Sequence, residues 1–341
     1  MVKISKKKKS FKISSALRKY LIHYEREIKM PLSYFDLTRY NNTVPLYDSN
    51  NKDTLWITVY YHQDDMNHIY DGLKKIYAIL KASGDLSVMD HLFIDRIDLC
   101  IYGNTKPFRV RIVNKMNDNF DYFYIKLADA SRVYGLELEH ILSPNRINYF
   151  VDCDTVIEEH IVGIPGDMFI QQYLHDKKIN KIRLAKEFVK FNERCFVRLL
   201  GDMHSSNFVI EMTPDFEEVH YRIRAIDFDQ QSYEGRKIIY MPQYFIQNNP
   251  IIQTGLEVLT PESVKQYQKE ERSMIAMRLK AAKYRIKELG DAVMQDEISL
   301  PEHIDKLKNE LAEHYKDKEF LSCKKMGSIV RTSLKMLMKN K

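Results

Sequence analysis

Two short stretches carry most of the chemistry this sequence can offer: Gly201-Asp202-Met203-His204-Ser205-Ser206-Asn207 and, further on, Ala225-Ile226-Asp227-Phe228-Asp229. Each falls where a strand should end in a loop, the place at which a scaffold aims polar side chains at a ligand. Phosphoryl transfer asks for few groups. One carboxylate orients the attacking hydroxyl and takes its proton, and hard oxygen atoms hold magnesium on the phosphates. Magnesium takes one or two carboxylates and completes its shell with water and phosphate oxygens. An Asp, an Asn five residues on and a second Asp at a strand end supply that set. Other chemistries find less support. There is no HExxH or other metal-ligand spacing among the histidines, no G-x-S-x-G and no motif around a cysteine. Glu158 and Glu159 are neighbours on a strand and face opposite ways.

The elements that must position these loops follow from periodicity and turn residues. Residues 181–192 read as a helix with Ile182, Ala185, Phe188 and Val189 on one face. Short strands are expected at 196–200 and 208–210 on either side of the first loop, and at 221–226 running into the second. From residue 261 the sequence is almost wholly helical, broken at Gly290 and Pro301. Upstream, residues 55–61 (LWITVYY) predict a strand. A helix follows, capped by Asp64 and Asp65, carrying Ile69, Leu73, Ile76, Tyr77 and Leu80 and ended by Gly84. Residues 95–102, 108–113 and 122–127 read as three strands joined by turns, an antiparallel meander. A helix over 130–142 stops at Ser143-Pro144-Asn145, two strands follow at 148–151 and 155–161, and VGIPGD marks a hinge. Residues 1–53 read as a basic lead and a polar loop.

The loop GDMHSSN and the later AIDFD together resemble the catalytic loop and metal-binding motif of atypical kinases. Aminoglycoside and choline kinases carry a similar G-D-x-H-x-x-N loop, as do phosphatidylinositol kinases. The resemblance spans residues 95–230 and implies an α+β, bilobal kinase-like fold. A small antiparallel β-rich N-lobe would occupy 91–163, a larger, mostly helical C-lobe 164–341, and an N-terminal extension 1–90. It implies that Asp202 is the catalytic base, with His204 orienting the loop, and that Asn207 and Asp227 bind Mg2+. Asp229 falls where small-molecule kinases often have a second acid and phosphatidylinositol kinases usually have glycine. ATP and magnesium would be the cofactors. The γ-phosphate would pass to a hydroxyl-bearing acceptor, a small molecule or lipid rather than a protein.

Upstream residues extend the comparison. A kinase holds the α- and β-phosphates with a lysine on its third strand, paired with a glutamate from the next helix. Lys126 lies in the third strand of the meander, and Glu137 and Glu139 lie in the helix after it. Their spacing of two puts them on different helix faces, so one alone can meet the lysine. Adenine would sit at Glu159, His160 and Ile161, on backbone groups. The turn YGNTKPF has Gly103 alone where a protein kinase has G-x-G-x-x-G, with Asn104, Thr105 and Lys106 left to cradle phosphate. There is no D-F-G, H-R-D or A-P-E. A conventional protein kinase is therefore not the expectation.

The bulk numbers set the frame. A chain of 341 residues has room for two lobes, and 44% hydrophobic with 29% charged residues is ordinary for a globular protein. Four scattered cysteines exclude a disulfide scaffold and a zinc module. No apolar run reaches the length of a bilayer span, so the expected location is cytoplasmic. The net charge of +6 gathers at Lys6 to Lys9 and at Lys324, Lys325, Arg331, Lys335, Lys339 and Lys341, where an anionic partner, phospholipid or nucleic acid, could bind. Three other functions are compatible with the sequence. They are an inactive kinase-like regulatory protein that binds nucleotide, an AMP transferase on the same fold, and a basic α+β protein that binds nucleic acid.

Overall fold

A computed structural model describes residues 8–48, 50–102, 105–216 and 219–339. The chain is mixed α and β and divides into two compact units. Residues 8–129 and 147–160 form a sheet unit, and residues 130–146 and 161–339 a helical unit.

The sheet unit opens with α1 (Ser15–His23) and a short α2 (Tyr34–Leu37), the latter held by a reciprocal cap between Ser33 and Asp36. Then come β1 (Asn42–Tyr47), β2 (Asp53–Tyr60) and the long α3 (Gln63–Lys81). The meander is β3 (Leu92–Cys100), β4 (Phe108–Asn114) and β5 (Phe120–Leu127), and the hairpin β6 (Tyr149–Asp152) and β7 (Thr155–Glu159) completes the unit. The seven strands are antiparallel in the order β1-β2-β3-β4-β5-β7-β6, so β7 inserts beside β5 and leaves β6 at the edge. Alternation along β3, β4 and β5 turns Ile94, Val110, Ile112, Phe123 and Ile125 into a core shared with Ile69, Leu73, Ile76 and Leu80 of α3.

One expectation changes here. Residues 42–47, read as polar loop, form β1. Thr43, Val44, Leu46 and Tyr47 favour extended backbone, and Pro45 is tolerated because the strand lies at the sheet edge. Of the residues before 90, which lie outside the resemblance, β1, β2 and α3 belong to the same sheet and core as the meander. Of the turn 101–107, Gly103 and Asn104 lie outside the described residues.

The helical unit begins with α4 (Ala130–Leu142). After β8 (Ile164–Pro165) and α5 (Gly166–Gln172) come α6 (Lys181–Arg198), β9 (Phe208–Pro214) and β10 (Val219–Ala225). The remainder is α7 (Asn249–Val258), α8 (Pro261–Ala281), α9 (Lys283–Val293), α10 (Pro301–Tyr315) and α11 (Met326–Lys339). The strands pair antiparallel in the order β10-β9-β8. α6 does not give way to a strand at 196–200. It continues to Arg198 because Phe188, Phe191, Cys195 and Phe196 keep helical spacing and are all buried. Gly290 lies inside α9, and the break between α8 and α9 comes at Ala282. The two glutamates of α4 are buried against arginines of this unit: Glu139 holds Arg198 and Glu137 accepts from Arg285 Nε at 2.7 Å. No helix among the described residues is long and apolar enough to cross a membrane.

Candidate active site

The end of α6 shapes the first loop. Leu199 caps the helix in the left-handed region (φ +57°), and Asp202 returns to that region three residues later (φ +63°). Such a φ is uncommon outside glycine, although aspartate tolerates it better than most residues. Backbone bonds over-determine the turn. Ser232 N donates to Leu199 O at 2.8 Å, Gly201 N to Gln230 O at 3.2 Å and Asp202 N to Ile239 O at 3.1 Å. Gly166, at the start of α5, lets the loop come close, since a Cβ there would lie 2.5 Å from Ser205 O.

Within the loop, Asn207 Nδ2 donates to Asp202 O at 2.8 Å, and Asn207 O accepts from Ile226 N at 3.0 Å. Asn207 therefore ties the turn carrying Asp202, through its side-chain amide, to the strand end that leads into Asp227, through its backbone carbonyl. β9 and β10 form the hairpin between Asn207 and Asp227, which brings the two loops to one end of the small sheet. With its nitrogen occupied, Asn207 would offer Oδ1 to a hard cation. His204 Nδ1 accepts from Ser206 N at 3.3 Å, leaving the proton on Nε2, which lies 3.7 Å from Asp202 Oδ1. That separation exceeds a hydrogen bond. Burial lowers the His204 pKa against the opposing pull of Asp227 and Asp167, and the imidazole is neutral at pH 7.

The electrostatics centre on Asp202. Burial first, then the negative charges of Asp227, Glu234 and Asp229, push its carboxyl up to about 8. Among the described residues its Oδ1 is buried without a hydrogen-bond partner. Burial and neighbouring negative charge both disfavour the ionised form. Arg132, fully buried at the start of α4, meets the neighbouring acids. It pairs with Asp229 Oδ1 and stands 3.6 Å from Asp227 Oδ1. Asp229 N in turn donates to Asp227 Oδ1 at 3.1 Å.

The donor set fits magnesium in kind: Asn207 and Asp227 are oxygen ligands on adjoining loops. Among the described residues no three His, Cys, Asp or Glu side chains gather tightly enough to cage a metal unaided. Asp229 is drawn to Arg132, which also stands 3.6 Å from Asp227.

The structure thus brings Asp202, His204, Asn207, Asp227 and Asp229 together in the helical unit. Lys126, Glu159 and His160 belong to the sheet unit, and Ile161 opens the second stretch of the helical unit. Lys126 is buried on β5, and its Nζ meets Glu158 Oε2 at 2.7 Å on the neighbouring β7. The acid expected there was Glu137 or Glu139, and the correction has a plain cause. Both are committed to arginines, whereas Glu158 shares the sheet face of Lys126 diagonally across a paired strand. Glu159 points the other way, to Lys81 at 3.1 Å. His160 Nδ1 contacts the Tyr124 hydroxyl at 3.2 Å. Sequence reasoning missed Arg132, Glu158 and Glu234. For Glu158 the available signal was an acid alternating onto the lysine's face of a buried hairpin.

No protein-family model matches the chain, and no curated protein matches it.

Proposed function

We propose that the chain is an ATP- and magnesium-dependent phosphotransferase of kinase-like bilobal architecture, acting on a hydroxyl of a small molecule or lipid. One observation carries the reading. Asp202 presents a buried, unpartnered carboxylate oxygen in a left-handed turn that Asn207 ties to the strand end preceding Asp227. The succession of elements supports it: a meander ending on Lys126, a helix, two further strands, and then a helical unit whose hairpin separates two acidic loops.

In this reading Asp202 accepts a hydrogen bond from the acceptor hydroxyl. As that oxygen bonds to the γ-phosphorus, the bond to the β,γ-bridging oxygen breaks, ADP leaves and the proton passes to Asp202. Asn207 and Asp227 would hold magnesium, which supplies positive charge against the phosphate oxygens. Arg132 fixes Asp229, and His204 restricts the space around Asp202. Lys126 and the strand end at Glu159 and His160 are the groups of the sheet unit expected to meet nucleotide. Glu158 replaces the helix glutamate as the lysine's partner.

A thermal-shift titration with ATP, with and without magnesium, tests the reading. A ligand bound to the native state raises stability by mass action, about 2.7 kcal/mol at a hundredfold excess over Kd. The wild-type chain should shift with ATP and magnesium together. Asp227→Ala should lose the magnesium-dependent part, and Asp202→Ala should keep it. Absence of any shift at millimolar ATP would remove the nucleotide site.

A further inference from the structure

The helical unit holds a half-open cavity of about 350 Å³ between the end of α8, α9 and α11. Its wall is apolar, built from Leu138, Leu279, Val293, Ile298, Val330 and Leu334. The charged residues that line it are Lys280, Lys283, Lys287, Arg331 and Lys335, and among the described residues its lining holds no carboxylate. Lys283 and Lys287 stand one turn apart on α9, and Arg331 and Lys335 one turn apart on α11. All five are exposed.

We propose that this cavity binds one molecule of a long-chain fatty acid, its chain in the apolar interior and its carboxylate at the basic rim. The volume lies within the range of small-molecule sites. A peptide helix about 10 Å across would place less than one turn in it, whereas an extended alkyl chain is slender enough to enter. Apolar walls favour each methylene taken out of water. The rim selects the head group, because Lys283 and Lys287, one turn apart on the same helix face, carry like charges that an anion beside them relieves. Arg331 stands 3.9 Å from Asp291 and Lys335 3.3 Å from Glu319. Both pairs are solvent-exposed, and such pairs exchange partners at little cost. A second copy of the chain would bring the same positive charges against these and is disfavoured. The site does not depend on phosphotransfer.

The test is an equilibrium titration of the full chain with palmitate below its aggregation range, alongside hexadecanol and phosphatidylglycerol vesicles. Palmitate should bind saturably, one per chain, and hexadecanol at least about tenfold more weakly for want of the anion. Leu334→Trp, which fills the cavity, and Lys283→Glu with Lys287→Glu, which reverses part of the rim, should each weaken palmitate by about tenfold or more. The double variant changes exposed positions only, so it decides the matter even where the tryptophan disturbs folding. No saturable palmitate binding, binding unchanged in the double variant, or binding to vesicles alone would overturn the proposal.

Discussion

Asp202 is an expensive residue to keep. Burial and then the charges of Asp227, Glu234 and Asp229 push its carboxyl up to about 8, and among the described residues its Oδ1 has no hydrogen-bond partner, so the ligand-free fold bears the cost of keeping the group protonated at neutral pH. Asp202→Asn replaces the acid by a neutral amide and removes that cost. That variant should make the ligand-free chain more stable by about 1 kcal/mol in chemical denaturation at neutral pH, while abolishing transfer. Lower stability would mean that the carboxylate has a compensating partner after all. The acids and the amide of this site were legible in the sequence because their spacing along two loops is itself the pattern. The cation that meets them was not. Arg132 lies at the start of a helix far upstream, and only tertiary folding lays it against Asp229. Glu158 was hidden for a related reason, since its meeting with Lys126 depends on strand register.

Among the elements, local signals were most reliable where punctuation was strong. The helix over 130–142 ends where Ser143-Pro144-Asn145 requires, and β3, β4 and β5 overlap the expected meander strands. They failed where a competing pattern ran on. The apolar residues at 196–200 look like a strand, yet they continue the buried face of α6 through Arg198 and into the left-handed cap at Leu199. The difference matters, because a helix C-terminus followed by a forced turn presents Asp202 more rigidly than a frayed strand end would. The close approach of α5 to that turn makes a prediction of its own. Gly166→Ala would press a methyl against Phe208 and Ser205 O and should cost about 1–3 kcal/mol. Nucleotide affinity should fall beyond the loss in folded fraction, as the loop shifts. A melting temperature equal to wild type would show that the loop has room the structure does not display.

For the whole molecule, the mixed α and β composition was legible in the sequence, and the chain divides into two compact units. Within the first ninety residues β1 and β2 extend the sheet; residues 55–61 read as a strand, while 42–47 read as polar loop. The helix after β5 belongs to the helical unit, its glutamates neutralised by arginines there. The basic cluster near the C-terminus is partly spent within the chain, with Lys339 on Asp317 and Glu319 and Lys335 on Glu319. At the other end, Lys8 is bound to Asp129, while Lys6, Lys7 and Lys341 lie outside the described residues. A broad polyanion surface at the ends accordingly has less support than the composition alone suggests.

The most direct measurement of the central claim follows ATP and magnesium by phosphorus NMR over a pool of hydroxyl-bearing small molecules and lipids, with wild type and Asp202→Ala at equal folded concentration. The account predicts that wild type converts ATP to ADP and a new phosphate ester, and that the variant binds nucleotide without turnover. ATP left intact by wild type, conversion undiminished in Asp202→Ala, or release of pyrophosphate with AMP transfer would contradict it.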